Sequence, residues 1–399
     1  MKVMIAGGGV AALEALIALR HLAEERVTLE LVTPKAEFAY RPLAVAEPFG
    51  LGEARRYDLV RIAHDHNAAL HLAGVQRVEP EQRRLITWDG RELAFDLLLM
   101  AIGAVPKTAI PGSVTIRGPG YTGRFRSVLR DLEERRIRRV VFAVPPGSSW
   151  PLPVYELALM TAGRVRERGL HKVEILLVTP EEEPLALFGR AASAAVRGLL
   201  EERRVTLHTA HYAGEFAEGE LGLVPDGGIA ADRVVSLPRL RGPEMPGLPH
   251  DGEGFIPVDL HGLVDGEVDV YAAGDATTSP IKQGGVASQQ ADAAAEAIAA
   301  RAGTPLVPKL FRPVLRGLLL TGGQPRYLRA EVSGGRGEQW EISDHALWWP
   351  ASKVAGRWLA PYLALRHEEL EEEPDGLPVE IGLDPGRAPR RVGALAGRR

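Results

Sequence analysis

At 399 residues, with 45% hydrophobic and 25% charged residues and no run of 18 apolar residues, the chain is too long for one core and lacks a membrane-spanning segment. A net charge of −4 with scattered basic residues gives no electrostatic reason to expect nucleic acid as a partner. The absence of cysteine excludes disulfides, thiolate nucleophiles, Cys-ligated zinc and Fe–S clusters, and no metal site is expected.

The start, MKVMIAGGGV, lacks the basic region and cleavage site of a signal peptide, so a cytoplasmic protein is expected. Residues 1–34 predict strand (KVMIA), glycine turn, helix (LEALIALRHLAEE) and strand (VTLELVT). The turn Gly7-Gly8-Gly9-Val10-Ala11-Ala12 fits G-x-G-x-x-A. Between a strand and a helix, such glycines let the backbone approach a pyrophosphate while the helix N-terminus offers amide donors. The end of the second strand, where an acid often holds ribose hydroxyls, carries Thr33, which offers a single hydrogen bond; Lys35 is a further candidate contact.

Residues 139–180 repeat the plan: strand RVVFAV, turn VPPGSSWPLPVYE, helix VYELALMTAGRVRER and strand VEILLVT. Both second strands end in Leu-Val-Thr-Pro, at 31–34 and 177–180, which marks an internal duplication of a βαβ nucleotide-binding unit, each half with a parallel sheet. The second turn differs. Pro145, Pro146, Pro151 and Pro153 have no amide hydrogen to offer a phosphate, and Thr179 stands where an acid would.

Farther on, VDVYAAGDATT predicts a strand ending in Gly274-Asp275, followed by the alanine-rich helix VASQQADAAAEAIAARA. LRGLLLTG and RYLRAEV predict strands of a smaller sheet. Residues 346–365 combine Trp348, Trp349, Trp358 and Tyr362 with Lys353 and Arg357. That pattern suits peripheral contact with the inner face of a membrane, packing over a bound cofactor, or a homodimer contact; Pro350 and Pro361 interrupt a long amphipathic helix. From 366 the chain is Pro-, Gly- and charge-rich, with acids at Glu368–Glu373, and a mobile tail is expected.

Three motifs in this order resemble the FAD-containing pyridine nucleotide–disulfide oxidoreductase superfamily over about residues 1–365: the first glycine loop, Ala101-Ile102-Gly103-Ala104-Val105-Pro106 after the strand FDLLLM, and Val270-Tyr271-Ala272-Ala273-Gly274-Asp275. The resemblance implies an α/β fold of two Rossmann-like dinucleotide-binding domains with a small C-terminal α+β interface domain. The boundaries implied are 1–112 and 255–304 for the FAD domain, 113–254 for the NAD(P)-binding-like domain, 305–365 for the interface domain and 366–399 for the tail. FAD is the implied cofactor, with contacts at Gly7, Gly9, Ala12, Thr33, Lys35, Arg41, Pro42, Val75, Ala101, Gly103, Gly274, Asp275, Gly285 and Val286.

Phe38-Ala39-Tyr40-Arg41-Pro42-Leu43 and Ile281-Lys282-Gln283-Gly284-Gly285-Val286-Ala287 are similar to the branch holding type II NADH dehydrogenases and sulfide:quinone oxidoreductases. There a lysine near the flavin stabilises negative charge, which makes Lys282 a catalytic candidate. The superfamily's redox cysteine pair falls where this chain has AYRPLAVAEPF, so disulfide reduction of that kind is excluded. The sulfide enzymes' loop resembles P-G-x-S-C-x-G-P-x-Y-E. Gly147, Ser149, Pro153, Tyr155 and Glu156 match it, while Trp150 takes the cysteine position, and an indole cannot hold a persulfide. Glu156 also matches a helix glutamate near the flavin in the NADH dehydrogenase branch and is the second catalytic candidate.

The expected function is a cysteine-independent FAD oxidoreductase that passes electrons to a quinone or another small acceptor. An NAD(P)H dehydrogenase with a non-standard nicotinamide loop, and a flavin-bound scaffold without turnover, stay open beside it. The electron donor is not legible.

Overall fold

The computed structural model describes residues 1–333 and 336–366. Along the chain come β1 (Lys2–Ala6), α1 (Val10–Ala23), β2 (Thr28–Thr33), β3 (Ala68–Leu72) and β4 (Leu97–Met100), then β5 (Val114–Thr115), β6 (Arg139–Ala143), α2 (Leu152–Glu167), β7 (Glu174–Val178), β8 (Val205–His208) and β9 (Arg233–Ser236). They are followed by β10 (Val270–Ala272), α3 (Gly284–Arg301), the strands β11 (Val314–Leu319), β12 (Arg326–Ser333) and β13 (Arg336–Ser343), and α4 (Leu359–Leu365).

Two five-stranded sheets with every neighbour parallel result, in the orders β3–β2–β1–β4–β10 and β8–β7–β6–β9–β5. In each, the chain leaves a central strand through a helix, builds outward on one side, then returns to the other. A crevice therefore opens at the carboxyl ends of the strands where the order reverses, beside β1 and beside β6. The sheets differ in their last strand: the first recruits β10 from far along the chain, the second β5 from just before it. Val3, Met4, Ile5 and Ala6 are all fully buried, as a parallel strand covered on both faces requires.

The two Leu-Val-Thr-Pro segments form the same turn. Thr33 Oγ1 accepts from Lys35 N at 3.4 Å and Thr179 Oγ1 from Glu181 N at 3.3 Å. Their carbonyls accept from Ala73 N at 2.9 Å and His211 N at 3.0 Å. In both, the threonine hydroxyl closes the turn locally by accepting the amide two residues on.

α1 and α3 pack through Ala11, Ala15 and Ala18 on one and Ala287, Ala291 and Ala294 on the other, all buried; side chains this small let two helix axes approach closely. β11–β13 form an antiparallel sheet whose Leu315, Leu319, Leu328 and Ala330 join the core around Tyr155 and Phe188.

The segment 348–366 then crosses back to the first sheet. Trp348 is buried, with Nε1 donating to Ser352 O at 2.9 Å; Trp358 stacks on His21 at 4.6 Å; the Tyr362 hydroxyl donates to Asp65 at 2.7 Å. None of the four aromatics is exposed. Trp348, Trp358 and Tyr362 thus make contacts within the chain, while Trp349, Trp358 and Tyr362 remain half-buried. Among the described residues no helix is long and apolar enough to cross a membrane. The expected tail beyond Arg366 lies outside the described residues.

Candidate cofactor site

The glycine loop sits at the carboxyl end of β1, and each glycine there has its own reason. Gly7 has φ +138°, and a Cβ on it would stand 2.2 Å from the Ala101 carbonyl oxygen. A Cβ on Gly8 would stand 2.6 Å from Thr33 Oγ1, whereas one on Gly9 would meet nothing within 4 Å. Gly9 is the N-cap of α1 and no side chain caps that helix, so its leading amides are left to solvent or a ligand. Ala12 is fully buried beneath the loop. Gly103, with φ +73°, also faces open space.

Gly274 brings the third motif to the same place. With φ +80°, a Cβ on it would lie 3.1 Å from that of Ala11 and 3.4 Å from that of Ala287, in the seam between α1 and α3. Its amide donates to Gln290 Oε1 at 2.8 Å, Gln290 Nε2 donates to Thr277 Oγ1 at 3.3 Å, and that hydroxyl donates to Gly274 O at 2.9 Å. This closed ring of bonds fixes the turn that carries Asp275. The Asp275 side chain is partly open to solvent and accepts no hydrogen bond from any described residue. Burial pushes its carboxyl up, opposed by the positive charges of Lys282 and Arg41.

Lys282 lies against this turn. Its ammonium donates to Thr277 O, sits 3.8 Å from the centre of the Phe255 ring, and is pushed down to about 8 by burial, against the pull of Asp275 and Asp251. Its backbone amide donates to Ser149 Oγ at 3.2 Å, so the proline-bearing loop before α2 touches the site through a serine.

Other expected residues lie around this centre. Arg41 is exposed, its Cδ 3.7 Å from the position a Cβ of Gly118 would take; Pro42 is half-buried. Thr33 is buried in its own turn, Lys35 is exposed, and Val75 packs half-buried against the core around Met4 and Val32. At the start of α3, Gln283 Oε1 accepts the Val286 amide at 2.8 Å, and Val354 packs 2.8 Å from a Cβ on Gly284. Val286 is thus a core residue whose amide is already bonded, and Gly285 is buried beside the Gln283 side chain.

Glu156 is sealed elsewhere. It has no exposed surface, accepts two hydrogen bonds from Lys353 Nζ at 2.5 and 2.6 Å, and accepts a third from Leu320 N at 2.8 Å. Burial still pushes its carboxyl up, against the opposing pull of Lys353. The ion pair ties α2 to the C-terminal segment, and the Leu320 amide ties it to the end of β11.

The end of β7 is tied to the start of α2 by the chain itself. The Tyr155 hydroxyl, in the first turn of α2, donates to Glu181 Oε2 at 2.6 Å, and Thr179 Oγ1 donates to the same oxygen at 2.9 Å. Trp150 stands 5.7 Å from Phe188, edge to face, and packs on the second core. Sequence reasoning missed Glu181, Gln290 and Phe255 as site-shaping groups, and named Ser149 and Gln283 only as parts of motifs.

No protein-family model matches the chain. Among solved structures, it is similar to the sulfide:quinone oxidoreductase of the hyperthermophilic bacterium Aquifex aeolicus, with a TM-score of 0.77, 18% identity, and 92% of this chain and 90% of that one covered. The fold is the one these chains share. A ferredoxin reductase from Rhodopseudomonas palustris matches with a TM-score of 0.64 and 18% identity over 84% of this chain and 83% of its own. NDH2 from Plasmodium falciparum, solved with NADH, matches with a TM-score of 0.57 and 14% identity over 69% of this chain and 64% of its own. The resemblance read from the three motifs and the structural likeness agree on this fold, with its mixed α/β architecture of parallel sheets.

Proposed function

We propose that the chain is an FAD-dependent oxidoreductase that passes electrons to a quinone or another small acceptor without redox cysteines. One observation carries the proposal: three sequence-distant motifs meet in one cradle, where Gly7 abuts Ala101, Gly274 lies against Ala11, and Asp275 accepts no hydrogen bond from any described residue. FAD fits that donor set. The uncapped amides of α1 and the open face at Gly9 would hold its pyrophosphate, Asp275 would accept from a ribityl hydroxyl, and Lys282 would place a cation beside the ring. FAD bound there would supply the redox chemistry; the chain supplies position and charge. In this scheme residues 1–112 and 255–304 form the cofactor domain, 113–254 the intervening domain and 305–365 the interface domain.

Glu156 is left out of the catalytic set because its oxygens are taken by Lys353 and Leu320 N. NAD(P)H as donor in the standard mode is disfavoured by the loop before α2, where Pro145, Pro146, Pro151 and Pro153 offer no amide hydrogen to a pyrophosphate.

The test is anaerobic purification, followed by flavin absorbance on adding NADH, NADPH or sulfide and then a soluble quinone. Bound FAD, little bleaching by NADH or NADPH, and re-oxidation by quinone are expected. A chain that neither retains nor takes up FAD refutes the cofactor assignment, and rapid bleaching by NADH refutes the account of the second crevice. FAD that is held but that no donor reduces would favour a flavin-bound scaffold.

A further inference from the structure

Lys353, its side chain buried, and Lys282, half-buried, are held in opposite ways. Lys353 is bonded to both oxygens of Glu156, which cancels its charge. Lys282 has no carboxylate in ion-pair contact among the described residues; its ammonium is held by a carbonyl oxygen, that of Thr277, and by the face of Phe255. A ring quadrupole attracts a cation within about 6 Å without neutralising it, so the full positive field remains for whatever lies alongside.

We propose that Phe255 is a positioning residue for Lys282, holding its ammonium against the Asp275 turn as an uncancelled charge that acts on the electron-accepting ring of the cofactor. The second half rests on the flavin assignment above; the first does not.

Phe255 is built to stay in place. It is 9% exposed, and its amide donates to Asp251 Oδ1 at 2.9 Å while Asp251 N donates to Phe255 O at 2.9 Å. Gly254 before it has φ +84°, and a Cβ on Gly242 would stand 1.8 Å from the Gly254 carbonyl carbon, so the turn is pinned against its neighbour. The other end of the lysine is pinned too, through the Ser149 hydroxyl. The charged groups that act on the ammonium are Asp275 on the turn before Lys282 and Asp251 on the phenylalanine's own turn, while Arg41 acts on Asp275. Burial lowers the ammonium's proton affinity, so its charge depends on the ring and on those two carboxylates.

The test follows the Lys282 side chain by NMR in the full-length chain with labelled lysine, using Lys282→Met to assign the signal. Phe255→Leu keeps the site apolar but removes the ring face, and should lower the lysine's titration midpoint by about one pH unit. Phe255→Tyr keeps the face and should leave it within a few tenths of a unit. An unchanged midpoint in Phe255→Leu, or an equal fall in Phe255→Tyr, overturns the positioning role. If the leucine variant does not fold, absence of an NOE between the Lys282 side chain and the Phe255 ring in the unaltered chain overturns it as well. Saturation with FAD should then shift the Lys282 signal, and the flavin midpoint potential at pH 8 should be lower in Phe255→Leu than in the unaltered chain. A Lys282 signal unmoved by bound FAD refutes the flavin assignment alone.

Discussion

Replacing Lys353 by methionine isolates the charge that holds Glu156 in the interior. The side chain loses its ammonium and only one heavy atom of length, so little cavity forms, while Glu156 keeps only the Leu320 amide as partner. A fully buried lone carboxylate takes up a proton instead. Holding it neutral at pH 7, when its ordinary value is 4.5, costs at most about 3.5 kcal/mol, at about 1.4 kcal/mol per pH unit. This ceiling lies at the low end of the roughly 3–5 kcal/mol found on breaking buried pairs. The folded variant then binds one more proton than the unfolded chain, so stability falls as pH rises above the unfolded value. Urea denaturation followed by tryptophan fluorescence should show a small loss relative to the unaltered chain at pH 5 and the largest loss at pH 7 to 8. The double variant Glu156→Gln/Lys353→Met, in which the amide oxygen still accepts from Leu320 N, should recover most of it. Equal destabilisation at pH 5 and pH 8 would refute the charge argument and leave lost packing as the cause.

Gly9→Ala should fold with unchanged or slightly raised stability, since its φ of −104° suits alanine and no atom lies within 4 Å of the new Cβ, yet it should weaken FAD binding measured by flavin fluorescence. Gly7→Ala should instead lose at least about 2 kcal/mol of stability in the same denaturation assay, because its Cβ meets the Ala101 carbonyl and its φ is +138°. Burial pushes the Glu14 carboxyl up to about 7, opposed by hydrogen bonds from the Trp358 and Leu359 amides at 2.7 and 3.0 Å. With the folded value above the unfolded one, its contribution is complete below pH 4.5 and lost as pH rises to about 7; Glu14→Gln should flatten that slope in a pH series of denaturation midpoints. Tyr155→Phe should cost about 1 kcal/mol by removing a bond to a largely buried carboxylate, read from the same denaturation assay, and isothermal titration should detect no tight NADPH binding to the unaltered chain.

The two βαβ units were legible because their signals are local: an apolar strand, a turn with special backbone needs, and a helix of the right period. Helix starts moved by two residues, from 154 to Leu152 and from 286 to Gly284, because Pro151 and the Gln283 side chain set the ends and neither is part of the apolar pattern. The glycine loop and the Gly274-Asp275 turn were legible for the same local reason. Glu156 was not, since its environment is set by Lys353, 197 residues away, and by a strand end on a different sheet. The Phe255–Lys282 contact was equally hidden, because it depends on a turn joining the two sheets. The aromatic run at 348–362 showed a composition that several settings share, and the partners it packs on, His21, Asp65 and Tyr327, lie far away in the sequence.

The first sheet's dependence on β10 sets an order for the chain's birth. β4 is fully buried only once Val270–Ala272 pairs with it, and the alanine face of α1 is covered only by α3. Residues 114–236, which supply the second parallel sheet, can close first while the N-terminal strands wait. At roughly 5–20 residues per second, the wait from Met100 to Val270 lasts on the order of ten to thirty seconds, with Leu97–Met100 an unpaired apolar edge throughout. Slowing synthesis across this interval should therefore increase the fraction of chains captured by hydrophobic-binding chaperones.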